Sequence, residues 1–310
     1  MKTKLWVALL SLYIVWGSTY LAIRFAVETM PPFLHGSIRF LVSGVILFIW
    51  RRAAGDAKPT MSQWKSTAII GTFLLLGGNG LVSLAEKTVP SGIASLVIAT
   101  VPFWLVLFES FRTGGTKPTW LSILGLIIGF GGVFLLIGPA RITGANQVFD
   151  PFGVVLLLVA PFLWALGSIY AKGADLPKSV LLSTGMQMLM GSVSLFIVSV
   201  ATGELNGFSL GEVSMRSWWA LIYLIIFGSL VGFVSYGWLL QNSPISLMST
   251  YAYVNPVVAV FLGWLLADEI LNTRIGIATA IIIGSVILIN YARRAQAKSK
   301  PLQAVPDGDD

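Results

Sequence analysis

The chain has no cysteine among its 310 residues and only one histidine, His35. Without thiols there is no disulfide, no thiolate nucleophile and no Cys-based metal site. One histidine cannot supply H-E-x-x-H, and no G-x-x-x-x-G-K-[ST] occurs anywhere, so zinc-protease chemistry and a P-loop motor are excluded. No cofactor and no metal are expected. Charge is also scarce: 11% of residues are Asp, Glu, Lys or Arg, against about 25% in an average soluble domain. A water-soluble protein could not cover its surface with so little.

What the chain has instead is apolar length. It is 56% hydrophobic, with a mean hydropathy of +0.84. A helix of about 20 mostly apolar residues crosses a bilayer. Ten such stretches are read at 5–27, 33–51, 66–85, 91–111, 119–138, 152–172, 178–201, 218–240, 245–267 and 275–292. Breakers separate them, among them Pro31-Pro32, Gly55, Gly114-Gly115, Pro118, Gly138-Pro139, Pro177 and Pro244. The first stretch is too long for a signal-peptide core and reads as a span. The fold class is therefore an all-α membrane protein of ten transmembrane helices, with the lipid bilayer as its surroundings.

The net charge of +7 does not point to nucleic acid, because basic residues gather in the cytoplasmic loops of membrane proteins. With the N-terminus inside, the inner segments hold 14 Lys and Arg and the outer loops 4 (Lys87, Arg141, Arg216 and Arg274). Both termini are expected in the cytoplasm. No loop is long enough to form a soluble domain.

Two stretches echo each other. Pro90–Pro102 reads PSGIASLVIATVP and Pro244–Pro256 reads PISLMSTYAYVNP, 154 residues on. Trp16-Gly17-Ser18 has a fainter counterpart in Trp164-Ala165-Leu166-Gly167-Ser168. Five spans per half invert the second copy, the arrangement of many secondary transporters, whose sites lie at the midplane between the repeats. The expected division is a first repeat over 1–140, an inverted second over 141–292 and a disordered cytoplasmic tail over 293–310. Pro102 and Pro256 are candidate helix bends, or gates.

Polar residues within spans carry the functional expectation. Asn79, Ser83 and Glu86 share one face of span 3. Glu86 is expected to pair with Lys87 or Arg24 at the interface, the alternative being titration within the pathway. His35, Arg39 and Ser43 form a polar stripe on span 2; His35 is placed at the outer membrane edge and Arg24 as an interfacial anchor. Glu109 is expected to pair with Arg112. Trp16, Tyr20, Trp164, Tyr236, Tyr251 and Tyr253 lie too deep for an interfacial belt. Trp16, Tyr20, Asn79, Ser83, Ser95, Trp164, Ser168, Tyr236, Tyr251 and Asn255 are the candidate substrate-cavity residues. Glu86, Arg39 and His35 are the candidate charge or coupling residues, with protons as the candidate coupling ion.

At these residues the chain resembles a known family. Trp16-Gly17-Ser18-Thr19-Tyr20-Leu21-Ala22-Ile23-Arg24 is similar to the opening motif of EamA-domain transporters of the drug/metabolite transporter superfamily. Gly78-Asn79-Gly80, Pro90-Ser91-Gly92-Ile93-Ala94-Ser95 and Tyr251-Ala252-Tyr253-Val254-Asn255-Pro256 resemble its YedA-type branch. The resemblance covers nearly the whole chain. It implies two inverted five-helix repeats around a central cavity in a bacterial inner membrane, and export of amino acids, other metabolites or drugs. One departure is that the family's first repeat often has a charged pair after span 4 matching Asp268-Glu269; this chain has Glu109-Ser110-Phe111-Arg112 there. The expected function is a secondary transporter that exports small amphipathic metabolites by alternating access. The alternatives are a non-transporting receptor or scaffold, and an intramembrane enzyme, for which no catalytic constellation was found.

The charge count predicts the topology. A fluorescent reporter fused after Asp310 should fluoresce in cells and a periplasm-dependent phosphatase fused there should stay inactive; the opposite pair of results would invert the assignment.

Overall fold

The computed structural model describes residues 2–111, 119–137, 150–243 and 251–299. Its ten long helices are α1 Thr3–Ala26, α2 Pro32–Ala53, α3 Met61–Ala85, α4 Ser91–Phe111, α5 Trp120–Ile137, α6 Pro151–Ala171, α7 Val180–Ala201, α8 Met215–Leu240, α9 Tyr251–Ala267 and α10 Thr273–Ser299. Seven of them are long and apolar enough to cross a membrane, and the other three carry shorter apolar stretches. The ten expected spans are present. α10 runs helical to Ser299, beyond the end expected at 292. Gly114-Gly115, Arg112, Lys117, Pro118, Gly138-Pro139, Arg141, Pro244, Met248 to Thr250 and the tail from 300 lie outside the described residues.

The polarity of the molecule is reversed relative to a soluble protein. Leu41, Val45 and Ile49 on α2, and Val193, Ile197 and Val200 on α7, are exposed. Ser37, Ser43, Thr67, Ser91, Ser192 and Ser229 are buried. Lipid accepts the first set, and the interior satisfies the second. Small residues let the helices approach closely. A Cβ at Gly44 would come within 2.9 Å of the Leu189 nitrogen and 3.0 Å of the Gly185 carbonyl, and a Cβ at Gly71 within 2.8 Å of the Gly191 nitrogen.

The second five helices are inverted relative to the first. α1 ends where Arg24 Nη1 donates to the Glu86 carbonyl at 2.6 Å. α6 begins at the same end of the molecule, where Asp150 accepts from Thr88 Oγ1 at 3.4 Å and Gly153 rests on Thr88 and Val89. So α1 arrives where α6 departs. The most extensive helix contact joins matched helices of the two halves, α2 and α7, and the matched α5 and α10 also pack along their length.

Helix starts differ in a way the sequence explains. Six are capped locally. Thr60 and Gln63 form a reciprocal capping box on α3, Asp150, Ser179 and Ser214 cap α6, α7 and α8, and Thr119 and Asn272 accept from the Ser122 and Ile275 nitrogens at the starts of α5 and α10. α2 and α4 follow Pro31 and Pro90, which have no side-chain acceptor. Their free N–H groups are taken by acids from the other half. Glu204 accepts from the Phe33 and Leu34 nitrogens at 3.1 and 2.9 Å. Glu269 accepts from the Ser91 nitrogen and hydroxyl at 2.7 Å each and from the Gly92 nitrogen at 3.0 Å. Charge at a helix N-terminus adds to the hydrogen bonds. Asp56, 148 residues before Glu204, lies at the start of α7, where hydrogen bonds from Arg51 and then Ser179 hold its carboxyl down to about 2.

These trans caps should be measurable. Glu204→Ala and Glu269→Ala should each lower the thermal midpoint in detergent, by an amount equivalent to about 0.5–2 kcal/mol, whereas Glu212→Ala, on an exposed turn, should not. Equal midpoints for all three would refute the assignment.

Candidate substrate cavity

Three helices leave α geometry inside the bundle. α1 has a π-helical turn at Leu12–Trp16, α3 at Thr72–Gly80 and α8 at Leu224–Phe233. The last two occupy matched places in the two halves. Such segments are rare and recur at functional sites. α4 is interrupted between Ile98 and Val101, and Pro102 sits in the first turn of its second part. α9 passes through Pro256 without interruption, so the two prolines do not make equivalent breaks. α6 carries a further internal proline, Pro161.

Where these irregular segments meet, two tryptophans meet. Trp16 of α1 and Trp164 of α6, again 148 residues apart, stand edge to face with ring centroids 5.7 Å apart. Each rests on a glycine of the π-helical segment across the repeat boundary. A Cβ at Gly78 would fall 2.6 Å from Trp164 Cε3, and one at Gly232 would collide with Trp16 Nε1. Phe233 and Tyr236 lie 5.2 Å from Trp16, and Tyr251 lies 5.5 Å from it, in tilted and edge contacts. The result is a continuous aromatic layer across the middle of the molecule.

A π turn frees carbonyls from the helix ladder, and here side chains take them. The Trp16 indole donates to the Gly228 carbonyl at 3.2 Å. Asn79 Nδ2 donates to the Leu74 carbonyl at 3.4 Å. The Asn255 amide nitrogen, assigned from the acceptors around it, reaches the carbonyls of Leu12 at 3.1 Å and of Tyr13 and Tyr251 at 3.2 Å. The Trp164 N–H is buried and makes no well-formed hydrogen bond.

Against the aromatic layer lies a cavity of about 70 Å³ lined by Trp16, Tyr20, Asn79, Trp164, Tyr251 and Asn255, together with Arg39, Pro161 and the small faces of Thr19 and Gly78. This holds a few waters and is far below the 300–1,000 Å³ usual for ligand pockets, so the cavity is contracted in this conformation. On the other side of Phe233 and Tyr236 a vestibule of about 470 Å³ opens toward Lys172 and Lys178, lined also by Ser168, Thr184 and Gln187.

This arrangement accords with the comparisons. The EamA-like transporter family matches residues 3–138 and 151–291. The chain belongs to the EamA-like transporter family. It is 37% identical over 288 residues to the "Uncharacterized inner membrane transporter YedA" of Escherichia coli strain K12, covering 92% of this chain and 90% of that protein. It is 24% identical to the "Uncharacterized transporter YoaV" of Bacillus subtilis, with 94% and 99% covered. A crystal structure 19% identical superposes with a TM-score of 0.65 over 96% of this chain and 99% of that one; this likeness shows the fold. The protein is thus a multi-pass membrane transporter of the drug/metabolite transporter superfamily, in the YedA-like branch.

In this EamA-family chain the structure brings Trp16, Tyr20, Asn79, Trp164, Tyr251, Asn255 and Arg39 to one cavity, and Ser168 and Tyr236 to the vestibule, where Ser168 Oγ and Tyr236 Oη are 3.1 Å apart. Ser83 and Ser95 are buried elsewhere; Ser95 turns back to the Gly92 carbonyl. Thr19, Gly78, Pro161 and Phe233 were not singled out from sequence, although Gly77-Gly78-Asn79-Gly80 is a visible glycine cluster.

Several expectations are corrected. His35, in the first turn of α2, is enclosed by protein rather than exposed: it is 1% exposed, its Nδ1 shares a hydrogen bond with the Pro32 carbonyl at 2.7 Å, and Nε2 has no partner. Glu86 does not pair with Arg24 or Lys87. Both its carboxyl oxygens are buried without a hydrogen bond, because Arg24 is spent on the Glu86 backbone carbonyl. Glu109 pairs with Lys172 at 3.0 Å; Arg112, its expected partner, lies outside the described residues. Gly207-Phe208-Ser209-Leu210-Gly211 does match G-x-S-x-G, but Ser209 lies in a loop before a 3-10 turn rather than between a strand and a helix, so it is no nucleophile elbow.

The pinning role predicts a stability effect. Asn255→Leu, close in volume, leaves the Leu12 and Tyr13 carbonyls unpaired and should cost about 1–3 kcal/mol in reversible detergent unfolding. An unchanged midpoint would show that those carbonyls need no donor.

Proposed function

We infer that the protein is a secondary transporter that exports small amphipathic metabolites across the inner membrane by alternating access, with amino acids or drugs as the first classes to test. The observation that carries this reading is the aromatic layer. It separates a cavity of about 70 Å³ from a vestibule of about 470 Å³ lined by Lys172 and Lys178. A repeat-related pair of indoles at the barrier is what two rocking halves need at their shared centre.

By the Lys and Arg count both termini lie in the cytoplasm, so the vestibule lined by Lys172 and Lys178 opens inward. Opening the opposite face parts the layer from the other side. The break in α4 and the π segments of α3 and α8 supply the points of bending. Protons are the coupling ion in this reading, and Glu86 is the titrating group. Its buried, unbonded carboxyl gains or loses a proton as its access to water changes.

The experiment is flux into liposomes containing the purified protein, with and without a pH gradient. Trp164→Ala should lower flux by about tenfold or more, which corresponds to at least about 1.4 kcal/mol. Glu86→Gln should abolish the dependence on the gradient while leaving substrate exchange. Wild-type flux in both variants would remove the cavity and the coupling assignment together.

A further inference from the structure

The cavity wall contains one charged side chain, Arg39. It is 2% exposed, and no carboxylate lies within ion-pair distance of it among the described residues. Its Nε is fixed by Ser229 Oγ at 2.8 Å. Its guanidinium carbon lies 4.7 Å from the Phe40 ring centroid. The end of the side chain fills the space over Gly228, where a Cβ would come within 2.8 Å of Nη2. His35, one turn earlier, directs Nδ1 to Pro32 and brings no negative charge. The two terminal nitrogens of Arg39 make no hydrogen bond within the described protein and border the cavity.

Several of the other polar groups there are already engaged. The amide nitrogens of Asn79 and Asn255 and the indole N–H of Trp16 hold freed backbone carbonyls, and Thr19 Oγ1 donates to the Trp16 carbonyl at 2.7 Å. The Trp164 N–H and the Tyr20 and Tyr251 hydroxyls are neutral donors, so Arg39 carries the charged donors of this wall. An unpaired charge in a low-dielectric interior is costly and is retained where it meets a ligand. A guanidinium fork matches a carboxylate in a planar, two-bond geometry.

We propose that Arg39 is the anchor for a single carboxylate on the substrate, and that the cavity narrows the amphipathic metabolites of the transporter reading to small monocarboxylates with a flat apolar body, selected over zwitterions such as free amino acids, amines and uncharged analogues. Charge balance sets the class. With the buried Glu86 carboxyl protonated, a monoanion brings the occupied cavity to neutrality. A zwitterion or an amide leaves the Arg39 charge uncompensated, an amine doubles the positive charge, and a phosphate dianion leaves excess negative charge. The aromatic rings of Trp16, Trp164 and Tyr251 receive the apolar body. The role in flux rests on the transporter reading; the role in binding does not.

The test uses four probes of similar size: phenylacetate, phenylacetamide, phenethylamine and phenylalanine. Thermal shift of the purified protein reports binding, and uptake into liposomes reports transport. Phenylacetate should stabilise the wild type at concentrations at least tenfold below those needed for the other three, and should be the one accumulated. Arg39→Gln should abolish the preference, and Arg39→Lys should keep part of it. Binding of phenylacetate with no uptake of any probe would support the anchor and count against transport. Phenylalanine or phenethylamine binding as well as phenylacetate in the wild type, or no response to phenylacetate, overturns the proposal whether or not the variants fold. So would an unchanged preference in Arg39→Gln.

Discussion

A backbone carbonyl that has left its helix ladder inside a bilayer has no water to turn to. That constraint organises the centre of this protein. Three helices carry π-helical segments where they converge, and each segment has carbonyls that need a donor from somewhere else. Trp16 serves the segment of α8, Asn255 that of α1, and Asn79 that of its own α3. Two of these three bonds join different helices. The segments of α1 and α8 are thus held by neighbouring helices, and the donors that hold all three are also the wall of the cavity.

The same logic operates at the ends of the helices. Proline starts α2 and α4 cleanly but supplies no acceptor, so Glu204 and Glu269 arrive from the opposite half. The two halves are therefore joined at their helix termini as well as through the tryptophan pair. Charge is placed sparingly. Where it is buried it is bonded, as in Glu109 with Lys172, or it lies beside the cavity, as with Arg39, or it is left as an unbonded carboxyl, as with Glu86.

Hydropathy made the ten spans readable, because the length of an apolar run follows directly from bilayer thickness. The faint Trp16 and Trp164 echo was also visible, and in the structure those residues touch. The π segments were not legible, since Thr72–Gly80 reads as an ordinary apolar helix and the extra residue per turn is imposed by packing. For that reason Asn79 and Asn255 read as free substrate contacts, whereas their amides are committed to the backbone. Ion pairing misled for a related reason. Glu109 bonds Lys172 of another helix, a partner that sequence spacing does not show. Arg24 and Glu86 do meet, through a carbonyl rather than the carboxylate. Pro102 and Pro256 match in sequence yet only α4 is interrupted, and the sequence offers no sign of that difference.

The central claim is that one cavity, lined by α1, α2, α3, α4, α6, α8 and α9, opens alternately to both sides of the membrane. The absence of native cysteine allows a direct measurement. A single cysteine at Ile98, on the cavity wall at the break in α4, can be offered a membrane-impermeant thiol reagent from either side of sealed, transport-active vesicles. The account predicts labelling from both sides and protection by substrate. Labelling from one side alone in vesicles that still transport would contradict it.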